Sequence, residues 1–238
     1  MLASPNSQPL RGLLVDALGT LVELVPPAPA LAARLREGHG LDVTPAAAAR
    51  AFAAEISYYR RHHLEGADDR SLARLRWRCA EVLHAALPDP VQVELDVDSL
   101  LPEMLASLRF RPLPGAEEAL AGARERGLRL AVVSNWDVSL AGILRELELD
   151  RHLDAIVSSA EVGEAKPQPA VFRRALERLG LEPAAALHVG DSWDLDVAGA
   201  RAAGLEPVLL APGASADGRE RRDGVLVLPS LTAFAALI

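Results

Sequence analysis

A chain of 238 residues, 50% apolar and 24% charged, has enough material for one substantial core and a modest second domain. Its formal net charge of -8 argues against nucleic acid as a partner, because a phosphate backbone demands a basic face. No apolar run is long enough to span a bilayer and MLASPNSQP lacks a basic start and an apolar signal core, so a cytoplasmic protein with no membrane partner is expected.

The first predicted element lies in GLLVDALGTLVEL (residues 12–24), an apolar strand that delivers Asp16 into a glycine turn. Pro26, Pro27 and Pro29 then end it. Residues 26–106 read as helix, in PPAPALAARLREGHG, TPAAAARAFAAEISYYRRHH and SLARLRWRCAEVLHAAL, with no strand between them. The lone Cys79 falls in the last of these and reads as a core thiol, since one cysteine excludes an internal disulfide framework.

RPLPG (111–115) marks the chain's return to a different rhythm. Short apolar runs, LRLAVVSN (128–135), DAIVSS (154–159), AALHVGD (185–191) and EPVLL (206–210), alternate with amphipathic segments, and GVLVLPSLTAFAALI adds a last strand and a closing helix. Such alternation predicts an α/β fold, a Rossmann-like doubly wound parallel sheet with an inserted α-helical cap domain. Residues 1–25 and 107–238 would form the core domain and residues 26–106 the cap.

In an open parallel sheet ligands bind beyond the carboxyl ends of the strands. Four polar features fall there. Asp16 closes the first strand, Ser134 and Asn135 close the second, and Asp191 closes a later one with Ser192 and Asp196 beyond it; Lys166 arrives in EAKPQPAVF. Each has an ordinary reading alone: Asp16 as a turn cap, Asn135 or Asp137 as a helix N-cap, KPQP as a surface loop, Asp191 or Ser192 as another N-cap. Lys166 is the only lysine among 25 Lys and Arg residues, and its meeting with the other three in this order is what independent caps would not require.

Together DALGTL, VVSN, KPQP and GDSWDLDVAGARAAG resemble the four motifs of the haloacid dehalogenase-like hydrolase superfamily, in the branch with a helical cap after the first strand. RGLRLAVVSNWD and HVGDSWDLD are most similar to its rhythmically expressed gene 2-like branch. The resemblance implies a phosphatase acting on a small phosphorylated substrate, with Mg2+ as cofactor. Asp16 would be the nucleophile, oriented by Thr20. Ser134, Asn135 and Lys166 would hold the phosphoryl oxygens. Asp16, Asp191 and the backbone carbonyl of Leu18 would bind the metal, with Asp196 acting through water or Lys166. Charge agrees with this set, since three carboxylates against one lysine leave a divalent cation to be supplied.

Leu18 departs from the pattern. Phosphatases of this family place a second Asp there, as acid for the leaving group and then as base for water, and leucine can be neither. Losing such help costs about two to four orders of magnitude in rate, so a weak or leaving-group-selective phosphatase is expected. Asp137, Asp194, His62, His63 and Glu65 are conceivable substitutes, although the HH pair reads better as a solvated helix end. Trp193 and Trp136 could shape the pocket edge or simply pack beside the strand ends.

Two other activities compete. A 2-haloacid dehalogenase also works without the second acid, but by resemblance it would carry serine in place of Asp191 and tyrosine in place of Phe172. A non-catalytic phosphoryl-binding or regulatory protein is the other alternative. A phosphonate hydrolase would need a lysine in the cap, which has none. The cap arginines at 60, 61, 74, 76 and 78 could meet a second anionic group, though a solvated helix face accounts for most of them.

Overall fold

The computed structural model describes residues 9–215 and 220–237; the N-terminal segment read above falls outside them over residues 1–8, as does Ile238 of the closing helix. The chain divides into two compact units, one running to Glu23 and resuming at Arg111, the other Leu24–Phe110. Strands β1 (Gly12–Val15) and β2 (Val22–Val25) precede five helices: α1 (Pro27–His39), α2 (Pro45–His62), α3 (Asp69–Ala86), α4 (Asp89–Glu94) and α5 (Val97–Ser107). Then come β3 (Arg109–Pro112), α6 (Ala116–Glu125), β4 (Arg129–Ser134), α7 (Leu140–Glu146), β5 (Ala155–Ser158), α8 (Ser159–Val162), α9 (Ala170–Leu179) and β6 (Ala186–Gly190). The chain finishes with α10 (Ala198–Ala202), β7 (Glu206–Leu210), β8 (Arg221–Arg222), β9 (Val225–Leu228) and α11 (Leu231–Ala235).

The main sheet has seven strands in the order β5-β4-β1-β6-β7-β9-β8, while β2 and β3 pair separately. Its first six strands run parallel, as expected of an α/β core flanked by helices. Strand order turns around at β1, which lies between β4 and β6, and that switch places a crevice at its carboxyl end. At one edge this parallel sheet gains an antiparallel strand, where β8 pairs with β9. Asp223 and Gly224 both take positive φ (47° and 80°) between them, the backbone of a two-residue hairpin turn for which Asp-Gly is a preferred pair.

Every residue of β1 is buried, so its four residues, GLLV, form a fully covered central strand rather than an alternating one. Among the described residues, no helix is long and apolar enough to cross a membrane.

The helical unit is built on its own core. Leu31, Leu35, Phe52, Leu75, Leu83 and Leu100 are buried together, each full burial being worth about 1.5–3 kcal/mol. Its helices start where the chain supplies caps: Thr44 accepts from the Ala47 N–H at 3.2 Å with Pro45 following, and Asp68 and Ser71 cap each other reciprocally. Within this stretch α4 and α5 have the weakest local helical signal, because PDPVQVELDVDSLLPEML mixes prolines with alternating apolar residues.

His63 corrects the expectation of a solvated HH pair. It is buried, its Nδ1 lies 3.0 Å from the Arg60 carbonyl and its ring packs near Tyr59, whereas His62 meets Glu65 at 2.8 Å on the outside. Arg78 also reaches Glu65, at 3.0 Å.

Glu55 on α2 is the buried acid of this unit, 4% exposed and hydrogen-bonded to the buried Cys79 of α3. Burial pushes its carboxyl up to about 7. Between its ordinary value and 7 the folded chain therefore holds a proton that the unfolded chain has lost, and stability falls as pH rises through that window. The full cost is about 3 kcal/mol, reached above pH 7. Glu55→Gln, which stays neutral, is expected to flatten this decline, so denaturant titrations of the two proteins should diverge progressively from pH 5 to pH 8.

Candidate active site

Three adjacent parallel strands bring their carboxyl ends together. Val15 of β1 lies opposite Val132 of β4 and Val189 of β6, and the Asp16 N–H donates to the Val189 carbonyl at 2.9 Å. Asp16 is thereby set beside Ser134 on one side and the Gly190-Asp191 turn on the other. Ser134 Oγ donates to Asp16 Oδ1 at 3.1 Å, and Lys166 Nζ reaches the same oxygen at 2.5 Å and Asp196 Oδ1 at 2.7 Å. Oxygens of Asp16, Asp191 and Asp196 all lie within 4.8 Å of one another.

The turn after Asp16 closes on one carbonyl: the N–H groups of Thr20, Leu21 and Val22 all donate to Ala17 O, and Gly19 N–H donates to Val22 O. The carbonyl of Leu18 takes part in none of these bonds, and the residue is 42% exposed. Gly19 has φ of 88°, and a Cβ there would collide with the Asp191 carboxylate, so both its conformation and its contact require glycine. Thr20 is buried, and its hydroxyl finds no hydrogen-bond partner among the described residues; a bond to Asp16 is therefore not made here.

Lys166 sits on the loop before α9, only 4% exposed. The side-chain amide of Asn135 grips its backbone from both directions, accepting from Lys166 N–H at 2.7 Å and donating to Lys166 O at 3.1 Å. Asn135 thus ties the end of β4 to the lysine loop, a use of this residue that sequence reasoning missed.

Beyond β6 the chain makes a π-turn over Trp193–Val197, in which the Ser192 carbonyl accepts from both Asp196 N–H (2.9 Å) and Val197 N–H (3.1 Å). This turn folds the Asp196 side chain back onto the strand end. Its Oδ2 accepts from Ser192 N–H at 3.0 Å, and any side chain at Gly190 would occupy the same space. Ser192 Oγ caps the turn through Leu195 N–H at 3.2 Å, so the N-cap reading holds for Ser192.

Two further candidates have local uses: Asp137 Oδ1 accepts from Ser139 N–H at 2.7 Å, and Trp193 packs beside Val197 and Leu209 with the Arg222 guanidinium 4.8 Å from its ring centre. Trp136 is buried.

Electrostatics divides the three acids. Burial raises the pKa of Asp16, with Lys166 opposing and Asp196 reinforcing. Asp191 reaches solvent, yet partial burial and the charges of Asp16 and Asp196 push it up to about 6. Burial also works against ionised Asp196, but Lys166 and His188 overcome it and hold that carboxyl well below the usual range. Lys166 loses solvation as well, and its two carboxylate partners more than restore its charge. Three carboxylates and one ammonium leave a deficit of positive charge on an all-oxygen donor set, and a hard divalent cation fits both features.

Comparison with known proteins points the same way. The sequence profile described as haloacid dehalogenase-like hydrolase matches residues 10–204. The chain is 37% identical over 234 residues to mouse (Mus musculus) haloacid dehalogenase-like hydrolase domain-containing protein 3, covering 94% of this chain and 91% of that protein. It is 31% identical over 150 residues to the ribulose-1,5-bisphosphate 5-phosphatase of Halopiger xanaduensis, covering 63% and 62%. The L-2-haloacid dehalogenase of Xanthobacter autotrophicus superimposes with a TM-score of 0.65 at 21% identity, over 96% of this chain and 98% of that one, a likeness of fold.

Proposed function

Since the chain belongs to the haloacid dehalogenase-like hydrolase family and is a hydrolase of that kind, we propose that it is a Mg2+-dependent phosphatase acting on a small phosphorylated metabolite in the cytoplasm. The resemblance of RGLRLAVVSNWD and HVGDSWDLD supports, in this reading, the rhythmically expressed gene 2-like branch. The observation that carries the proposal is the meeting of Asp16, Asp191, Asp196 and Lys166 at one sheet edge.

Asp16, Asp191 and the Leu18 carbonyl would hold Mg2+. Asp196 would take part through water, because Lys166 and His188 already occupy its Oδ1 and only Oδ2 has capacity left. When bound, the ion offsets the carboxylate charge and polarises phosphoryl oxygens.

Lys166 and Ser134 fix the Asp16 carboxylate at Oδ1, and that carboxylate is the nucleophile. Its attack forms an O–P bond to Asp16 as the bond from phosphorus to the leaving oxygen breaks. Lys166, Ser134 Oγ, the Asn135 N–H and the amides of Ala17 and Leu18 stabilise the equatorial oxygens. Water then attacks phosphorus as the bond from phosphorus to Asp16 breaks, and its protons leave on the released phosphate.

At neither stage does Leu18 supply or accept a proton. Leaving groups that need none, such as carboxylates of acyl phosphates, are favoured over alkoxides. Asp191 argues against dehalogenation, since a metal-free displacement of halide gains nothing from another carboxylate beside its nucleophile.

A screen of acyl, aryl and alkyl phosphates with Mg2+ and with chelator tests the proposal. Rates should fall in that order and vanish with chelator; chloride release from a 2-haloacid without metal would overturn it.

A further inference from the structure

His188 touches none of the reacting atoms of the proposed reaction. It sits at the centre of β6, opposite Leu14 of β1 and Pro207 of β7, and is wholly buried. Phe172 packs against its ring edge to face, with centroids 4.9 Å apart. Its Nε2 lies 2.9 Å from Asp196 Oδ1, and its Nδ1 has no hydrogen-bond partner among the described residues.

An ionised carboxylate can only accept, so Nε2 carries the hydrogen of that bond. An imidazole in a covered central strand loses solvation that leucine or valine would not, and here it recovers a bond at one nitrogen alone. Packing does not account for that choice; Asp196 does.

We propose that His188 is a positioning residue of the active site, its Nε2–H fixing the Asp196 carboxylate so that Asp196 in turn holds Lys166 against Asp16; this rests on the phosphatase reading above. Asp196 Oδ1 receives both Lys166 Nζ and His188, while Oδ2 receives the Ser192 N–H that follows Asp191. Without His188 the carboxylate keeps a single side-chain donor and can rotate about its terminal torsion. Lys166 would then leave its shared position, and the Asp191 turn would lose the bond that braces it. Partners of this kind set metal affinity or activity by about 10- to 100-fold.

Three variants of the full chain test this. His188→Gln keeps an amide N–H at about the reach of Nε2. His188→Leu removes the donor while filling the space, and His188→Asn stops short of Asp196. Calorimetric Mg2+ affinity, kcat and KM on an acyl phosphate, and the rate of reductive methylation of Lys166 followed by mass spectrometry are compared.

The expected result is about a 10- to 100-fold loss in Mg2+ affinity or kcat for Leu and Asn, KM nearly unchanged, faster methylation, and substantial recovery in Gln. Unchanged values in a folded Leu or Asn variant would overturn the assignment. So would a Gln variant no better than Asn. Binding and methylation need no turnover, so absence of phosphatase activity in the wild type would refute the phosphatase reading and leave this test intact.

Discussion

Asp16→Asn is expected to reduce phosphate release by at least about 10³-fold while leaving the chain folded. The amide keeps an acceptor oxygen for Lys166 and Ser134 and removes one of three mutually repelling acids, so the packing around β1 has no reason to fail. What it loses is the nucleophilic charge. Rapid-quench mass spectrometry with acetyl phosphate and Mg2+ should find a phosphoryl group on Asp16 of the wild type and none on the variant. Label on another residue, or a variant that still turns over, would remove Asp16 from the role of nucleophile.

Leu18→Asp should act in the opposite direction. Leu18 projects from a turn whose hydrogen bonds do not involve its carbonyl, and the residue is 42% exposed, so a carboxyl there keeps access to solvent. Restoring an acid at this place is expected to raise turnover of alkyl phosphates by about 10²- to 10⁴-fold and to change acyl phosphate hydrolysis far less, because acyl leaving groups need no proton. The comparison is a ratio of kcat/KM values for the two ester classes in each protein. An equal ratio in a folded variant would show that proton supply does not limit this enzyme. A wild type that accumulates stable phosphoaspartate would instead favour a phosphoryl-binding or regulatory role.

Why the site could be read so far ahead of the structure follows from the parallel sheet. Once GLLV, LAVVS and ALHVG are adjacent parallel strands, Asp16, Ser134 and Asp191 must emerge at one edge, whatever the loops do. The glycine after Leu18 and the glycine before Asp191 were likewise visible, although the reason for each is a contact that only folding creates.

Less was legible where a side chain answers to a distant partner. In sequence Asn135 reads as a helix cap or a holder of phosphoryl oxygens, but its amide holds a loop 31 residues away. His188 looks in sequence like one more residue of a buried strand, because nothing local signals Asp196 folding back through a π-turn. The hairpin between β8 and β9 is different, since its Asp-Gly turn was present in RRDGVLV and was passed over in favour of the parallel pattern. In the helical unit, His63 reads as part of a solvated helix end and is buried, and the burial of Glu55 against Cys79 of another helix has no local sign.

Titrating Mg2+ calorimetrically into the wild-type chain and into Asp191→Asn tests the central claim most directly, namely that the carboxylates of Asp16 and Asp191 share a divalent ion beside Lys166. Single-site uptake by the wild type that disappears in the folded variant is the predicted result. No uptake by the wild type, or equal uptake by both, would contradict it.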